Sequence, residues 1–388
     1  MKATRREKHE RASRFGRNGG NRTVRYAVVG LGYISQAAVL PAFAHATENS
    51  QLTALVSDDP VKLRELAKKY HIDRTYSYEE YDDCLSSAAI DAVYIALPNN
   101  MHREYAVRAA RAGVHVLCEK PMAITEKDCE QMFDAADHNG VRLMIAYRLH
   151  FDEANLKAVA IVQSGTLGEP RIFSSLFTMQ VEDGNIRLNK ELGGGTLYDI
   201  GIYCINAARY LFQDEPTEVF AFSANNGEKR FREVDEMTGA LLRFPGERLV
   251  TFTSSFGAAD LSFYRVIGTK GDLLVERAYS YSKERQHILT VDGKTKRVSF
   301  PKRDQFAPQL LYFSTCIMRD KHPEPSGAEG LIDVQIIRAL YRSAEIGKPV
   351  KLHLPERKKR PTITQEIKRP AVKKPTLVRA KGPRPKSS

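Results

Sequence analysis

The turn Gly30-Leu31-Gly32 constrains the fold more than any other feature, because an apolar β-branched run leads into it and a helical segment follows. The first glycine allows a tight turn, and the second lets the backbone approach a phosphate at a helix N-terminus. Ser35 stands at the place of the third glycine in a Gly-x-Gly-x-x-Gly motif and is also small. The strand-turn-helix context predicts dinucleotide binding. The predicted contacts are Gly30, Leu31, Gly32, Tyr33 and Ile34.

From Arg25 to about Tyr147, short runs of β-branched and apolar residues alternate with segments of helical periodicity. Regular alternation of strand and helix is typical of βαβ units in a doubly wound parallel sheet. The sequence therefore predicts a Rossmann domain over residues 25–147. Its predicted strands are Tyr26–Val29, Leu52–Val56, Ala92–Ala96, His115–Cys118 and Leu143–Ala146, and its predicted helices include Val61–Tyr70, His102–Ala112 and Glu126–Asn139.

Beyond about His150 the pattern changes to one helix, Asp152–Gln163, and then to strand-like runs separated by short turns. Alternating polarity with short turns indicates antiparallel pairing. We expect an α+β domain for substrate binding and oligomerisation over residues 148–354, with a large, mostly antiparallel open sheet and a closing helix at about 327–347. The predicted class is thus α/β. The predicted strands of this domain are Val219–Ser223, Thr238–Phe244, Leu249–Phe256, Ser262–Gly268, Asp272–Glu276 and His287–Val291.

The positive charge of the chain lies at its two ends. Of a net charge of +12, residues 1–22 contribute +6 and residues 355–388 contribute +10, so the part between them is slightly acidic. We expect residues 1–24 to be a basic disordered arm and residues 355–388 a basic disordered tail, since apolar residues are few there. Non-specific nucleic-acid contact by these tails is an open alternative to a solubilising role.

Composition excludes several classes of protein. No run of eighteen apolar residues occurs, which excludes a membrane-spanning helix. The five cysteines are scattered, so we expect free thiols in the cytoplasm, no disulfide framework and no metal site. Arg5-Arg6 is not followed by an apolar segment, and secretion is not expected.

The end of the second strand bears on the choice of cofactor. Ser57 and the nearby Lys62 can hold a 2′-phosphate and favour NADP, whereas Asp58 as a partner of the ribose 2′-hydroxyl favours NAD. Asp58, Asp59 and Pro60 can also be interpreted as a cap of the next helix. The prediction is NADP, with NAD possible.

A second glycine-rich turn, Gly193-Gly194-Gly195, precedes a segment that carries Asp199 and Tyr203 four residues apart. If residues 196–212 are helical, these two side chains lie on one face, one turn apart. A phenol beside a carboxylate suggests proton transfer in carbohydrate redox chemistry. On periodicity alone, a core aromatic is the competing interpretation of Tyr203.

Two more motifs follow strands of the first domain, Leu97-Pro98-Asn99-Asn100-Met101-His102 and Cys118-Glu119-Lys120-Pro121-Met122-Ala123. Together with both glycine turns they resemble the Gfo/Idh/MocA oxidoreductase family, of which Glu-Lys-Pro after the fifth strand is the most specific mark. The likeness is greatest to the glucose-fructose oxidoreductase type and covers about residues 25–352. It implies an NAD(P)-dependent enzyme that transfers hydride to or from a sugar or cyclitol, and a dimer or tetramer formed through the C-terminal sheet.

The resemblance also implies roles for individual residues. Lys120 hydrogen-bonds the reacting oxygen, Tyr203 transfers the proton, and Asp199 fixes the sugar ring. An ammonium near a phenol favours the phenolate, so Lys120 is expected to assist Tyr203. Besides the first glycine turn, Ser57 and Lys62, the expected cofactor contacts are Tyr78, Leu97, Pro98, Asn99, His102, Glu119, Lys120, Arg148 and Arg187.

The chain departs from the family pattern in two places. Ile186-Arg187 stands where Trp-Arg is common in the family, and the chain has no tryptophan. The short, charged N-terminus does not resemble the arm that traps NADP in glucose-fructose oxidoreductase, so we expect a dissociable cofactor. Two alternatives to a sugar oxidoreductase stay open: a glycosidase that oxidises its substrate transiently, and a non-catalytic cofactor-binding protein with nucleic-acid-binding tails.

Overall fold

The computed structural model describes residues 23–356 and 360–383. These residues form two compact units. The first contains residues 23–148, 304–331 and 369–382, and the second contains residues 149–303, 332–356, 360–368 and Pro383. The predicted linear division at residues 147 and 354 is therefore wrong in two places, because segments 304–331 and 369–382 pack in the first unit.

The first unit is built on a six-stranded parallel sheet with the strand order β3-β2-β1-β4-β5-β6. Strands β4 and β5 are buried at every position, as expected for parallel strands covered on both faces. The predicted Rossmann sheet is confirmed, although β3 was not predicted. The strands are β1 Val24–Val29, β2 Ser50–Val56, β3 Arg74–Tyr76, β4 Ala92–Ile95, β5 His115–Cys118 and β6 Leu143–Ile145.

Helices alternate with these strands. The helix after the glycine turn covers residues 33–45 and includes a π-helical stretch, Ser35–Val39. A further helix, Ala307–Met318, packs on β1 and β2, where Ser314 Oγ lies 2.7 Å from both Tyr26 Oη and Ser50 Oγ. Sequence periodicity did not predict this helix or the short Tyr81–Ser86. The remaining helices are Pro60–Tyr70, His102–Arg111 and Glu126–His138.

The second unit is built on a nine-stranded sheet with the order β14-β13-β12-β11-β7-β10-β9-β8-β15. Every neighbouring pair is antiparallel except β7 and β10, which confirms the predicted mostly antiparallel sheet. The sequence did not predict β7, β14 or β15. The strands are β7 Pro170–Thr178, β8 Glu218–Ala224, β9 Met237–Phe244, β10 Arg248–Ser255, β11 Leu261–Gly268, β12 Gly271–Glu276, β13 Arg285–Val291, β14 Lys294–Phe300 and β15 Val350–Lys351.

The two faces of this sheet differ in burial. Helices Glu153–Gln163 and Ile202–Phe212 pack together, and the latter packs on β7, where Phe173 and Phe177 are buried. The other face carries a set of exposed apolar side chains on four adjacent strands, of which Ile172 and Leu249 are paired directly. This set, the open apolar face, consists of Ile172, Leu249, Leu241 and Phe222.

The closing helix is Gly327–Ile346, one residue shorter than predicted. Its first five residues belong to the first unit and the others to the second. No helix within the described residues is both long and apolar enough to cross a bilayer.

Residues 360–383 are packed on the folded protein, contrary to the predicted disordered tail. Composition predicted disorder because the tail has few apolar residues, but its cations pair with acidic residues of the folded part. Residues 1–22 of the predicted arm, residues 357–359 and residues 384–388 lie outside the described residues, while Val24 of that arm begins β1. The pairs are Arg360 with Glu215, Lys368 with Glu153, Arg369 with Glu48 and Arg379 with Asp59.

Candidate functional site

Gly30 makes the tight turn after β1. Its φ of 91° lies in the left-handed region, and a Cβ at this position would lie 2.5 Å from Ala96 O. The Gly30 N–H donates to Val56 O at 2.9 Å, which ties the turn to β2. Only glycine satisfies both the backbone angle and the available space.

The rest of the turn leaves its backbone accessible. A Cβ at Gly32 would meet no heavy atom within 4 Å, so open space lies beside this backbone. The buried Ser35 hydroxyl donates to Gly30 O at 2.5 Å, which explains how serine can replace the third glycine. An accessible turn at a helix N-terminus fits the pyrophosphate of a dinucleotide.

Asp59 caps the helix that follows β2. Its Oδ1 accepts hydrogen bonds from Val61 N–H at 3.0 Å and Lys62 N–H at 3.1 Å. These backbone hydrogen bonds lower the pKa of Asp59 below its usual value. The Lys62 ammonium lies 3.9 Å from Asp59 Oδ2. The capping interpretation is therefore correct for Asp59, and Lys62 brings a cation to the end of β2.

Ser57, Asp58 and Tyr78 interact with one another at the end of β2. Asp58 Oδ1 accepts from the Tyr78 N–H at 2.7 Å, so this carboxylate does not cap the helix. The Ser57 side chain is buried, accepts from Asp59 N–H at 3.3 Å and hydrogen-bonds the Tyr78 phenol. Burial raises the pKa of Tyr78 to about 12. Ser57, one of the two residues predicted to favour NADP, is thus buried and hydrogen-bonded within the turn.

His102 connects two loops that follow β4 and β5. Its Nδ1 lies 2.9 Å from Pro121 O, and its Nε2 lies 3.0 Å from Leu97 O. The side chain is fully buried, and burial lowers the pKa of His102. Since both ring nitrogens face backbone carbonyls, His102 links these two loops, whereas the resemblance implies a contact with the cofactor. Pro98 and Asn99, on the first loop, are half-buried.

Glu119 and Lys120 follow β5 directly, and the Lys120-Pro121 peptide bond is cis. The Tyr94 hydroxyl donates to Glu119 Oε1 at 2.7 Å. Burial raises the pKa of Glu119, and the hydrogen bond from Tyr94 and the charges of Lys120 and Arg148 partly offset this rise. Two predicted cofactor contacts, Lys120 and Arg148, thus lie within electrostatic reach of Glu119.

In the second unit, the triple glycine packs against the segment 185–189. A Cβ on Gly194 would collide with the carbonyl groups of Arg187 and Asn189. The Gly194 N–H donates to Asn189 O at 2.9 Å and the Gly195 N–H to Arg187 O at 3.0 Å. The glycine turn therefore holds the backbone of Arg187 in place, a role that the sequence did not predict.

Arg187, Asp199 and Tyr203 form a group that we call the Arg187 cluster. Arg187 Nε donates to Asp199 Oδ2 at 2.6 Å. Burial favours a lower pKa for Arg187, but the Asp199 carboxylate outweighs this effect and raises the pKa, and Tyr203 and Tyr281 contribute to the rise. The structure thus brings together three of the predicted site residues.

The helix that carries Asp199 and Tyr203 is not regular. Leu197–Gly201 is π-helical, and the α-helix proper is Ile202–Phe212, which corrects the predicted regular helix. The half-buried Tyr203 ring contacts Phe177 and Tyr279 at centroid distances of 5.7 Å. Its ring is held by aromatic packing while its hydroxyl end belongs to the Arg187 cluster.

A buried polar network anchors the same helix at Asn206 and Arg209, one to two turns beyond Tyr203. His150 Nε2 lies 2.8 Å from Asn206 Oδ1, and Asn206 Nδ2 donates to Asp333 Oδ2 at 3.0 Å. Arg209 pairs with Asp333 at 2.5 Å and with Glu215 at 2.5 Å. Since all of these residues are buried, the network fixes the rotation of the helix about its axis.

The described part of the chain contains no group of three His, Cys, Asp or Glu side chains that could hold a metal ion. All five cysteines lie within it, and each is a buried free thiol. Burial raises the pKa of Cys84 to about 12, so this thiol is protonated at neutral pH.

Four residues that lie beside the predicted ones were not predicted from the sequence. Asn185 precedes Arg187 by two residues and accepts from its N–H at 3.1 Å, a local pattern that Asx turns could have signalled. Tyr94, Tyr281 and Gln305, which accepts a hydrogen bond from Arg148 Nη1, are distant in sequence from their partners. No local pattern indicates such pairs.

The sequence matches two family models. Residues 24–147 match the GFO_IDH_MocA model, described as an oxidoreductase family with an NAD-binding Rossmann fold. Residues 155–274 match the GFO/IDH/MocA C-terminal domain.

Individual proteins are similar over most of the chain. D-xylose 1-dehydrogenase [NADP(+)] from Haloarcula marismortui is 34% identical over 337 residues, which cover 85% of this chain and 93% of that protein. A scyllo-inositol 2-dehydrogenase (NADP(+)) from Bacillus subtilis is 30% identical over 72% of this chain and 83% of its own. The solved aldose-aldose oxidoreductase from Caulobacter crescentus has a TM-score of 0.81 and 39% identity, covering 85% of this chain and all of its own.

Proposed function

Because the chain belongs to the Gfo/Idh/MocA oxidoreductase family, we propose that it transfers hydride between NADP and a sugar, with aldoses as the preferred class. The observation that carries the proposal is the Arg187 cluster, in which a cation, a carboxylate and a phenol meet at one end of a helix. The choice of aldoses rests on the similarity to a xylose dehydrogenase and an aldose-aldose oxidoreductase. Cyclitols are the second class to test.

The proposed chemistry needs one proton and one hydride to leave the sugar. Tyr203, as phenolate, accepts the proton of the reacting hydroxyl, and in reduction the phenol returns it to the alkoxide oxygen. When NADP is bound, its nicotinamide ring supplies the hydride acceptor. Lys120 donates a hydrogen bond to the reacting oxygen, an assignment that rests on the family resemblance.

The Arg187 cluster suggests how the sugar is oriented. Arg187 and Tyr203 interact electrostatically, so the phenol lies close to a fixed cation. Asp199 pairs with Arg187, and the lone pairs of a carboxylate can accept more than one hydrogen bond, including one from a sugar hydroxyl. The triple glycine holds this arrangement through the backbone of Arg187.

NADP is the proposed cofactor, with NAD possible. Asp58 accepts from the Tyr78 N–H, and this engagement weakens the case for Asp58 as the partner of a free 2′-hydroxyl. Lys62 supplies positive charge at the same turn. Two similar proteins are named as NADP(+) enzymes, which supports the same choice.

The test is turnover of the purified chain on a panel of aldoses and inositols with NADP and with NAD. Both NADPH absorbance and sugar products should be measured, because oxidation of one aldose coupled to reduction of another leaves the absorbance unchanged. Absence of any oxidised or reduced sugar would refute the proposal. Release of an aglycone from a glycoside without net reduction of the cofactor would replace it with transient-oxidation glycoside cleavage.

The Tyr203→Phe substitution tests the proposed proton transfer. The phenyl ring keeps the packing against Phe177 and Tyr279, so the fold and the affinity for NADPH should stay unchanged. The turnover number should fall by about 100-fold or more, since a positioned acid or base contributes that much. Tyr70→Phe, which removes a phenol from the end of the helix Pro60–Tyr70, is the matched control. Full activity of Tyr203→Phe contradicts the assignment.

The open apolar face supports assembly into a dimer or tetramer through the C-terminal sheet. Phe222 is 67% exposed there, beside Leu241, Leu249 and Ile172 on adjacent strands. Exposed apolar side chains that cluster on one face, among polar ones, often mark a protein-protein interaction site. Light scattering should find an oligomer that Phe222→Lys weakens, and a monomeric wild-type protein at micromolar concentration would contradict this part of the proposal.

A further inference from the structure

We infer that residues 369–382, the C-terminal strap, complete the cofactor site of the first unit and that Arg379 on this strap selects the 2′-phosphate of NADP. The inference rests on the proposed function, because it concerns the same nucleotide. The family models end at residue 274 and do not include the strap.

Ion pairs and backbone hydrogen bonds fix the strap at its beginning. Arg369 Nη2 lies 2.6 Å from Glu48 Oε1, and Arg369 Nε donates to His45 O at 2.9 Å. Farther along, Lys69 Nζ donates to Thr376 O at 3.3 Å. The strap therefore follows the helices that come after the glycine turn and after β2.

The side chain of Gln36 joins the strap to the glycine turn. Its Nε2 donates to Leu31 O at 2.9 Å and to Val378 O at 2.9 Å, and its Oε1 accepts from Val378 N–H at 2.7 Å. Gln36 is buried. A buried amide that satisfies both backbone groups of one residue is a specific contact, because replacing it would leave those groups without a partner.

The strap then reaches the turn itself at Tyr33. A Cβ on Gly382 would lie 3.2 Å from the Tyr33 ring, closer than ordinary van der Waals contact. The absence of a side chain at Gly382 thus lets the strap lie directly against a residue that the sequence predicts to contact the cofactor.

Between these two contacts, Arg379 projects toward the end of β2. Its Nη1 lies 3.7 Å from Asp59 Oδ1, and the Lys62 ammonium lies 3.9 Å from the other oxygen of the same carboxylate. The Arg379 side chain is 63% exposed, so much of its guanidinium is accessible to a ligand. Asp59 thus lies between the two cations Lys62 and Arg379.

This turn is where a Rossmann domain binds the adenosine ribose, and an arginine there accommodates the 2′-phosphate of NADP. Asp58 and Ser57 are engaged within the turn. Arg379 and Lys62 are consequently the groups that distinguish a 2′-phosphate from a 2′-hydroxyl. Because the strap contacts both the glycine turn and this turn, it should also slow release of the nucleotide, in contrast to the freely dissociable cofactor expected from the N-terminus.

The experiment measures binding of NADPH and NADH to the full chain without sugar, by the fluorescence of the reduced nicotinamide in equilibrium and stopped-flow titrations. Arg379→Ala should weaken NADPH binding about 10-fold and change NADH binding less than about 2-fold, since only NADPH loses a charge-assisted contact. Lys381→Ala, which removes an exposed cation from the same strap, is the matched control and should change neither affinity.

A second variant tests retention of the nucleotide. Val378→Pro removes the N–H that donates to Gln36 and should speed the dissociation of NADPH and NADH alike. Circular dichroism confirms that each variant is folded.

Equal losses for NADPH and NADH in Arg379→Ala, or no loss for either, overturn the assignment of Arg379. Tighter binding of both nucleotides by Val378→Pro means that the strap blocks the site, which overturns the inference as a whole. These outcomes differ from failure of the proposed function, in which the chain binds nucleotide but converts no sugar.

Discussion

The substitution Arg360→Ala is expected to destabilise the second unit by about 3 kcal/mol, because it removes one cation from a buried charge cluster. Arg360 Nη2 lies 2.7 Å from Glu215 Oε1, and Glu215 also pairs with Arg209, which pairs with Asp333. All four side chains are buried. Two cations and two anions make the cluster neutral, and Arg360→Ala leaves one uncompensated negative charge.

The size of the expected destabilisation depends on the hydrogen bonds that Glu215 keeps when Arg360 is removed. Breaking a buried ion pair by removing one partner costs about 3–5 kcal/mol. Glu215 keeps two hydrogen bonds from Arg209, at 2.5 and 2.9 Å, so the lower end of this range applies. Lys368→Ala is the control on the same segment: Lys368 is half exposed, and loss of its ion pairs with Glu153 and Glu366 should have little effect.

Urea unfolding followed by far-ultraviolet circular dichroism measures these effects, since the chain has no tryptophan. The double variant Glu215→Gln/Arg360→Ala is neutral again and should be more stable than the two single losses predict, by about 1–3 kcal/mol. A loss of stability in Arg360→Ala no larger than that in Lys368→Ala, or simple addition of the two single losses in the double variant, would refute this prediction.

Two further predictions concern the first unit. Gly30→Ala places a Cβ against Ala96 O at a φ of 91° and should lower the free energy of unfolding by about 1–3 kcal/mol. Gly32→Ala places its Cβ in open space, so this variant should keep the melting temperature but bind NADPH more weakly. Equal melting temperatures for the two variants would contradict this prediction. Burial lowers the pKa of His115 to about 4 from 6.5, and its Nδ1 accepts from Arg142 N–H. On lowering the pH, His115 takes up its proton at a higher pH in the unfolded chain than in the folded protein. The free energy of unfolding is therefore highest above pH 6.5 and falls as the pH drops toward 4, by about 2 kcal/mol at pH 5. The difference between the urea midpoints at pH 7 and 5 should therefore become smaller in His115→Gln, and an unchanged pH dependence would exclude His115 as a cause.

Elements with strong local patterns were predicted within about two residues. The strand His115–Cys118 and the helix Glu126–His138 show why: each combines a periodic apolar pattern with a clear end, and Thr125 caps the helix by accepting from Asp128 N–H. The strand Lys294–Phe300 was missed because it lies at the edge of the sheet and exposes charged side chains. Its pairing with β13 supplies the order that its own pattern lacks.

The candidate site also contains residues that local patterns predicted correctly and others whose environment they did not predict. Gly30 and the spacing of Asp199 and Tyr203 are local features, so the sequence indicated them directly. His102 was expected to contact the cofactor because it belongs to the motif that begins at Leu97, but its ring nitrogens lie against Leu97 O and Pro121 O. Position in a motif therefore identified the loop and not the direction of the side chain.

Local sequence patterns are sufficient to indicate the family, the two sheets and the turn that fits a dinucleotide, because glycine requirements and apolar periodicity act over a few neighbouring residues. The path of the basic tail, in contrast, depends on tertiary contacts. From the sequence, Arg360 and Arg379 were expected to belong to a disordered tail. In the structure, Glu215 lies beside Arg360 and Asp59 lies beside Arg379. The free energy of such pairs depends on the distance between charges and on burial, and both are set by segments that are far apart along the chain.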